Sequence, residues 1–155
     1  MSKNWLLLVF MGLFASVPGA LGYVLRKFGY ARLCGRVGRG VNWGRNVTLR
    51  HPGKMVIGER TAVDDNYLLD AKGADDEGFR IGEAVMIARD TLIQAKTAGV
   101  WIGDRCVIGS QCQLISAGGI RLGQSVMLAG QCYVGGGRYH IQNREIPMMD
   151  QGLYT

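Results

Sequence analysis

Two histidines and one glycine run mark where this chain could do chemistry. His140 follows Gly135, Gly136 and Gly137 in the stretch YVGGGRYH. An imidazole changes charge near neutral pH and can take a proton with little tuning. Consecutive glycines let backbone N–H groups approach a developing oxyanion closely. His51 lies between Arg50 and Pro52-Gly53, which fits a turn or a contact to an acceptor. Asp64, Asp65, Asn66 and Asp70 form an acidic cluster ending at LLDAKG, which reads as a solvated face or as a contact to a subunit or acceptor, and Lys72 reads the same way. The four cysteines, Cys34, Cys106, Cys112 and Cys132, show neither CxxC nor zinc-finger spacing. That pattern points to small buried thiols rather than a metal or redox centre.

The elements that must position these residues show a period of six. In IGDRCV-IGSQCQ-LISAGG an aliphatic residue leads each hexad, and a small or β-branched residue often sits four places later. The leads run Ile57, Val63, Leu69; Ile81, Ile87, Ile93; Ile102, Ile108, Leu114; and Leu122, Leu128, Val134. A partial coil led by Trp43 and Leu49 precedes them. Three hexads per turn predict a triangular prism of short strands, with neighbouring coils about 4.8 Å apart. Neither strict alternation nor helical spacing accounts for the pattern as well. The leads should face inward, joined by Thr61, Val85, Thr91, Thr97, Cys106, Cys112 and Cys132. The fold class predicted is an all-β solenoid of about four to five coils, preceded by an apolar helical segment. The organisation expected is a front segment over 1–40, the repeat over 41–138, and a loop and end over 139–155.

The 155 residues are 48% hydrophobic and include 24 glycines, which suits one turn-rich domain with a real core and excludes a disordered chain. Trp5–Leu25 carries no charge, and Pro18-Gly19 interrupts it. Its unbroken part, Trp5–Val17, is shorter than the roughly 20 residues of a simple bilayer span. An interfacial, re-entrant or kinked segment, a signal peptide and a helix packed on its own domain all fit. Residues 1–60 hold ten Lys/Arg against one acid, Glu59, whereas residues 61–155 hold eight against eleven. A basic front beside an apolar segment favours attachment at the cytoplasmic face of an inner membrane, peripheral or shallowly inserted. Nucleic acid is not an expected partner, because the basic excess does not continue onto the repeat.

IGERTA, IGEAVM, IGDRCV, IGSQCQ and LGQSVM resemble the hexapeptide-repeat acyltransferases over roughly residues 41–152. The stretches VTLRHPGKMVIGE, LLDAKG and GGGRYHIQNREIPMMDQG are similar to a membrane-associated subgroup that O-acylates sugars or lipid-linked glycans. The resemblance implies a left-handed parallel β-helix, a homotrimer, and acetyl-CoA or another acyl-CoA as co-substrate, with no metal. It implies His140 as general base and Gly135, Gly136 and Gly137 as the backbone approach to the oxyanion. The family often places an aspartate soon after this histidine; here Asn143 and Glu145 are the nearby candidates, with His51 and Asp70 as further orienting or acceptor contacts. A γ-class carbonic anhydrase would need three histidines for zinc, and this chain has two. The family's coils continue past the point where this sequence stops, so a shortened transferase is one expectation. A non-catalytic β-helical scaffold at a membrane surface is the alternative.

Overall fold

The computed structural model describes Val9, residues 12–74 and residues 78–154. Most of the apolar run from Trp5 to Met11, and the acidic run Asp75–Glu77, lie outside the described residues. Among those described, no helix is long and apolar enough to cross a membrane. The one described helix with a full set of bounds, α1 (Gly19–Leu33), leads into a parallel β-solenoid of about five turns.

The first turn comprises β1 (Arg36–Val37), β2 (Asn42–Trp43) and β3 (Thr48–Arg50), and the second β4 (Met55–Ile57), β5 (Ala62–Val63) and β6 (Leu68–Asp70). The third comprises β7 (Phe79–Ile81), β8 (Met86–Ile87) and β9 (Leu92–Ala95), and the fourth β10 (Val100–Ile102), β11 (Val107–Ile108) and β12 (Gln113–Ser116). The fifth comprises β13 (Ile120–Leu122), β14 (Met127–Leu128) and β15 (Tyr133–Gly136). Each turn places one strand on each of three five-stranded sheets. The first turn is therefore complete, because Arg36–Val37 supplies a third side, with Val37 six residues before Trp43 as the hexad cadence requires.

The aliphatic leads stack in register. Val37, Ile57, Ile81, Ile102 and Leu122 share one sheet. Trp43, Val63, Ile87, Ile108 and Leu128 share the second. Leu49, Leu69, Ile93, Leu114 and Val134 share the third. In the second to fourth turns all of these leads are buried, each contributing about 1.5–3 kcal/mol through lost contact with water.

Corners follow from the same cadence. The residue three places after ten of the leads has positive φ: Gly40, Asn46, Arg60, Asn66, Ala84, Asp90, Arg105, Gln111, Ser125 and Gln131. Such backbone costs an ordinary residue about 1–2 kcal/mol. Contacts between turns offset it. The N–H groups of Arg60, Ala84, Arg105 and Ser125 each donate to a carbonyl one turn back, at 2.8–2.9 Å. Inside the corners, Thr61 donates to Gly82 O (2.8 Å), Cys106 to Gly123 O (3.0 Å) and Cys112 to Ala129 O (3.1 Å). These two thiols are thus internal donors bridging turns. Cys132 is half-buried in the fifth turn. Thr97 departs from the expected inward set: it is exposed beyond the end of β9, and its hydroxyl donates to the Ala117 carbonyl at the corner below.

The helix closes one end of the prism. Tyr30 is fully buried, its ring centroid 5.1 Å from that of Trp43, and its hydroxyl donates to Val47 O at 2.7 Å. Arg26 is buried with its guanidinium bonded to Trp43 O (3.2 Å) and Val17 O (2.6 Å). The buried positive charge is therefore held by two backbone carbonyls, one before α1 and one on β2.

Candidate functional site

The other end of the prism carries His140. β15 ends at Gly136, and β16 (Arg138–Tyr139) pairs antiparallel with β17 (Leu153–Tyr154). That hairpin base sets His140 just outside the fifth turn. Its backbone N–H donates to Gly152 O at 3.0 Å, and its ring lies on the Tyr154 ring with centroids 3.6 Å apart. Arg138 covers the same tyrosine, its guanidinium carbon 4.8 Å from the ring centroid. The imidazole is thereby packed against a ring and half-buried, with an edge left to solvent.

Two of the three glycines have a packing reason. A Cβ on Gly136 would stand 2.5 Å from Gly119 O, and Gly137 has φ +96° with Ala117 Cβ 3.0 Å from where a Cβ would be. Gly136 O accepts from both Ala117 and Gly118, at 2.6 and 2.9 Å. The chain thus leaves the prism hard against the turn before it, a path only glycine follows. At Gly135 the nearest neighbour is the ring of Tyr133, which roofs it.

Beyond His140 the connection is held by its own polar contacts. Glu145 N–H donates to Asn143 Oδ1 (2.9 Å), and Gln151 Nε2 donates to the carbonyls of Asn143 (2.5 Å) and Ile146 (2.7 Å). Gln142 Nε2 donates to Tyr154 Oη at 2.9 Å. Asn143 and Glu145 therefore bond within this loop rather than to His140. The residue against the imidazole is Tyr154, which sequence reading missed: it stands 14 positions on, across a loop without periodicity.

His51 and Asp70, by contrast, are brought together. His51 Nδ1 is 3.3 Å from Asp70 Oδ1. Lys72 N–H donates to the same oxygen at 2.9 Å, Gln94 Nε2 reaches Oδ2 at 3.4 Å, and an Arg50 nitrogen lies 3.9 Å from Oδ2. The rest of the acidic cluster is elsewhere. Asp65 accepts from the Arg45 backbone (2.6 Å) and guanidinium (2.9 Å), Asn66 from Asn46 (2.9 Å), and Asp64 pairs with Arg89 (3.4 Å). The Arg45 N–H, with the guanidinium beside it, holds the Asp65 carboxyl below the ordinary carboxylate range against the opposing effect of burial. The column Arg50, Asp70, Gln94, Ile115, Gly135 separates the first turn from the glycine run by four rungs, about 19 Å at the usual strand spacing. Within one chain, His51 and Asp70 are not partners of His140.

Among the described residues no group of three or more His, Cys, Asp or Glu is arranged to hold a metal ion. Compared with known proteins, the chain matches no family model and has no significant match among curated sequences.

Proposed function

We propose that the chain belongs to a left-handed hexapeptide-repeat acyltransferase and moves an acyl group, acetyl in the simplest case, from an acyl-CoA to a hydroxyl of a sugar or lipid-linked glycan. The observation that supports this best is the placement of His140. It stands at the rim of the fifth turn, directly after the glycine exit, with its ring steadied by Tyr154 and its backbone by Gly152. In this reading the imidazole takes the acceptor's hydroxyl proton as the oxygen attacks the thioester carbonyl. Backbone N–H groups of Gly135, Gly136 and Gly137 offer hydrogen bonds to the oxyanion that forms. Collapse of the tetrahedral species breaks the C–S bond, and the imidazolium returns the proton to the departing thiolate. The protein works as a homotrimer at a membrane surface, where a second copy completes the groove for the acyl-CoA.

The test is acetyl-CoA binding by calorimetry together with thiol release in the presence of saccharide acceptors. Binding and acceptor-dependent release are expected. His140→Ala should lower the rate about 10²–10⁴-fold, the usual contribution of a positioned base, with binding retained. No acetyl-CoA binding would overturn the proposal, and near-normal turnover in His140→Ala would remove the histidine from it. The open outer strands of the fifth turn favour a second reading, a non-catalytic scaffold that assembles through that end. Assembly in the absence of acetyl-CoA binding would select it.

A further inference from the structure

Asp70 occupies an odd position for a carboxylate. It follows the inward Leu69 on β6, so alternation turns it to the outer face, yet its side chain is only 3% exposed. The 51–54 turn folds over it and brings His51 down onto Oδ1. His51 itself has φ 56° and ψ 44° while preceding Pro52. A residue before proline strongly prefers extended backbone, and positive φ is unfavourable for any residue with a side chain. Strain of this kind persists where the surroundings over-determine it, and here it aims an imidazole at a buried carboxylate.

The chemistry of the pair follows. A carboxylate facing Nδ1 accepts a hydrogen bond from the Nδ1–H tautomer, which leaves Nε2 of the neutral ring as a hydrogen-bond acceptor. The His51 side chain is 49% exposed, so a ligand can reach the ring. Around it stand cations. The Arg50 side chain is 60% exposed with its guanidinium beside Asp70, and Lys54 Nζ rests on Lys72 O at 3.1 Å; Lys72 is itself exposed. The Arg50 charge thus lies beside a carboxylate that is already engaged, and the Lys54 amine is anchored on the backbone carbonyl of Lys72, whose N–H bonds the same carboxylate.

We propose that His51, oriented by Asp70, is the centre of a second ligand site, separate from His140, which binds a hydroxyl-bearing phosphate monoester of the sugar-phosphate type. His51 Nε2 accepts the hydrogen bond of the hydroxyl, and Arg50 and Lys54 hold the phosphate oxygens. This site does not depend on the acyl-transfer reading.

With only two histidines, a His140→Asn chain leaves His51 as its sole imidazole. Labelled with ¹⁵N-histidine, this chain should show the Nδ1–H tautomer by NMR. Glucose 1-phosphate should shift the Nε2 resonance saturably, and Arg50→Ala with Lys54→Ala should weaken that binding about tenfold or more. Calorimetry on the wild-type chain and on His51→Gln, a change at an exposed ring, should show binding lost with the imidazole. The site is overturned by an Nε2–H tautomer, by no saturable shift, or by a shift that the arginine and lysine changes leave untouched. Inorganic phosphate binding as tightly as glucose 1-phosphate would overturn the hydroxyl contact.

Discussion

The first and fifth turns use one strand plan and finish it in opposite ways. In the first, Trp43 and Leu49 are buried, Trp43 against the Tyr30 ring of α1. In the fifth, the equivalent Leu128 and Val134 are only partly buried, while Leu122 and its first-turn counterpart Val37 are partly buried alike, and residues 141–150 of the following loop are all exposed. An inward-facing aliphatic position is therefore not sufficient for burial; it needs a neighbour on both sides along the prism axis. The same contrast divides the histidines. His51 is pinned by a buried carboxylate near the closed end, whereas His140 sits on a tyrosine ring beyond the open end.

The largest predicted effect is at the cap. Tyr30→Ala removes a fully buried ring and the bond to Val47 O, so it should cost about 3–5 kcal/mol in urea denaturation. Leu128→Ala should cost clearly less, about 2 kcal/mol or under, because that side chain is already partly exposed. Equal losses would break the contrast between the ends.

Alkaline pH sharpens it. Burial pushes Cys34 up to about 12 and holds the phenols of Tyr30 and Tyr67 above the ordinary tyrosine range. These groups are neutral in the folded chain and ionise more readily when unfolded. The stability they confer is fully present below the unfolded values, about 8.5 for a thiol and about 10 for a phenol, and is lost as pH rises through the folded ones. A lower urea midpoint at about pH 10.5 than at about pH 8 is expected, with a smaller pH effect in Tyr30→Phe.

The smallest effect belongs to an exposed corner of the first turn. Arg45→Gln breaks the guanidinium contact to Asp65 and should cost about 0.2–1 kcal/mol, since both groups keep contact with water. Asp65 has a lowered carboxyl value, so its contribution is present above about pH 3.9 and is lost as pH falls through the lower folded value. The mutant's penalty should therefore shrink in acid, and one unchanged by acid would point to lost packing instead.

Much of the fold was legible because the repeat writes each inward residue at a fixed interval. Ile57, Ile81, Ile102 and Leu122 fall in register despite spacers of different length between them. Arg36–Val37 was legible but overlooked: VGRGVN has an aliphatic lead in Val37, Gly next and Val41 four places later, six residues before Trp43. Thr97 misled because the third corner of each turn does not keep the cadence of the other two. The exposed position of His140 beyond the repeat was readable, but its contact with Tyr154 depends on an antiparallel pair of two-residue strands that no periodicity marks. The His51–Asp70 contact runs between turns, so it emerges only once the register of β3 on β6 is known.

The most direct test of a solenoid closed at the helix and open at the histidine is native-state hydrogen exchange, resolved by strand. The amides of β4–β12, flanked by turns on both sides, should exchange slowest, and β1–β3 beneath α1 should be protected more than β13–β15. Protection of β13–β15 equal to that of β4–β6 would contradict the account.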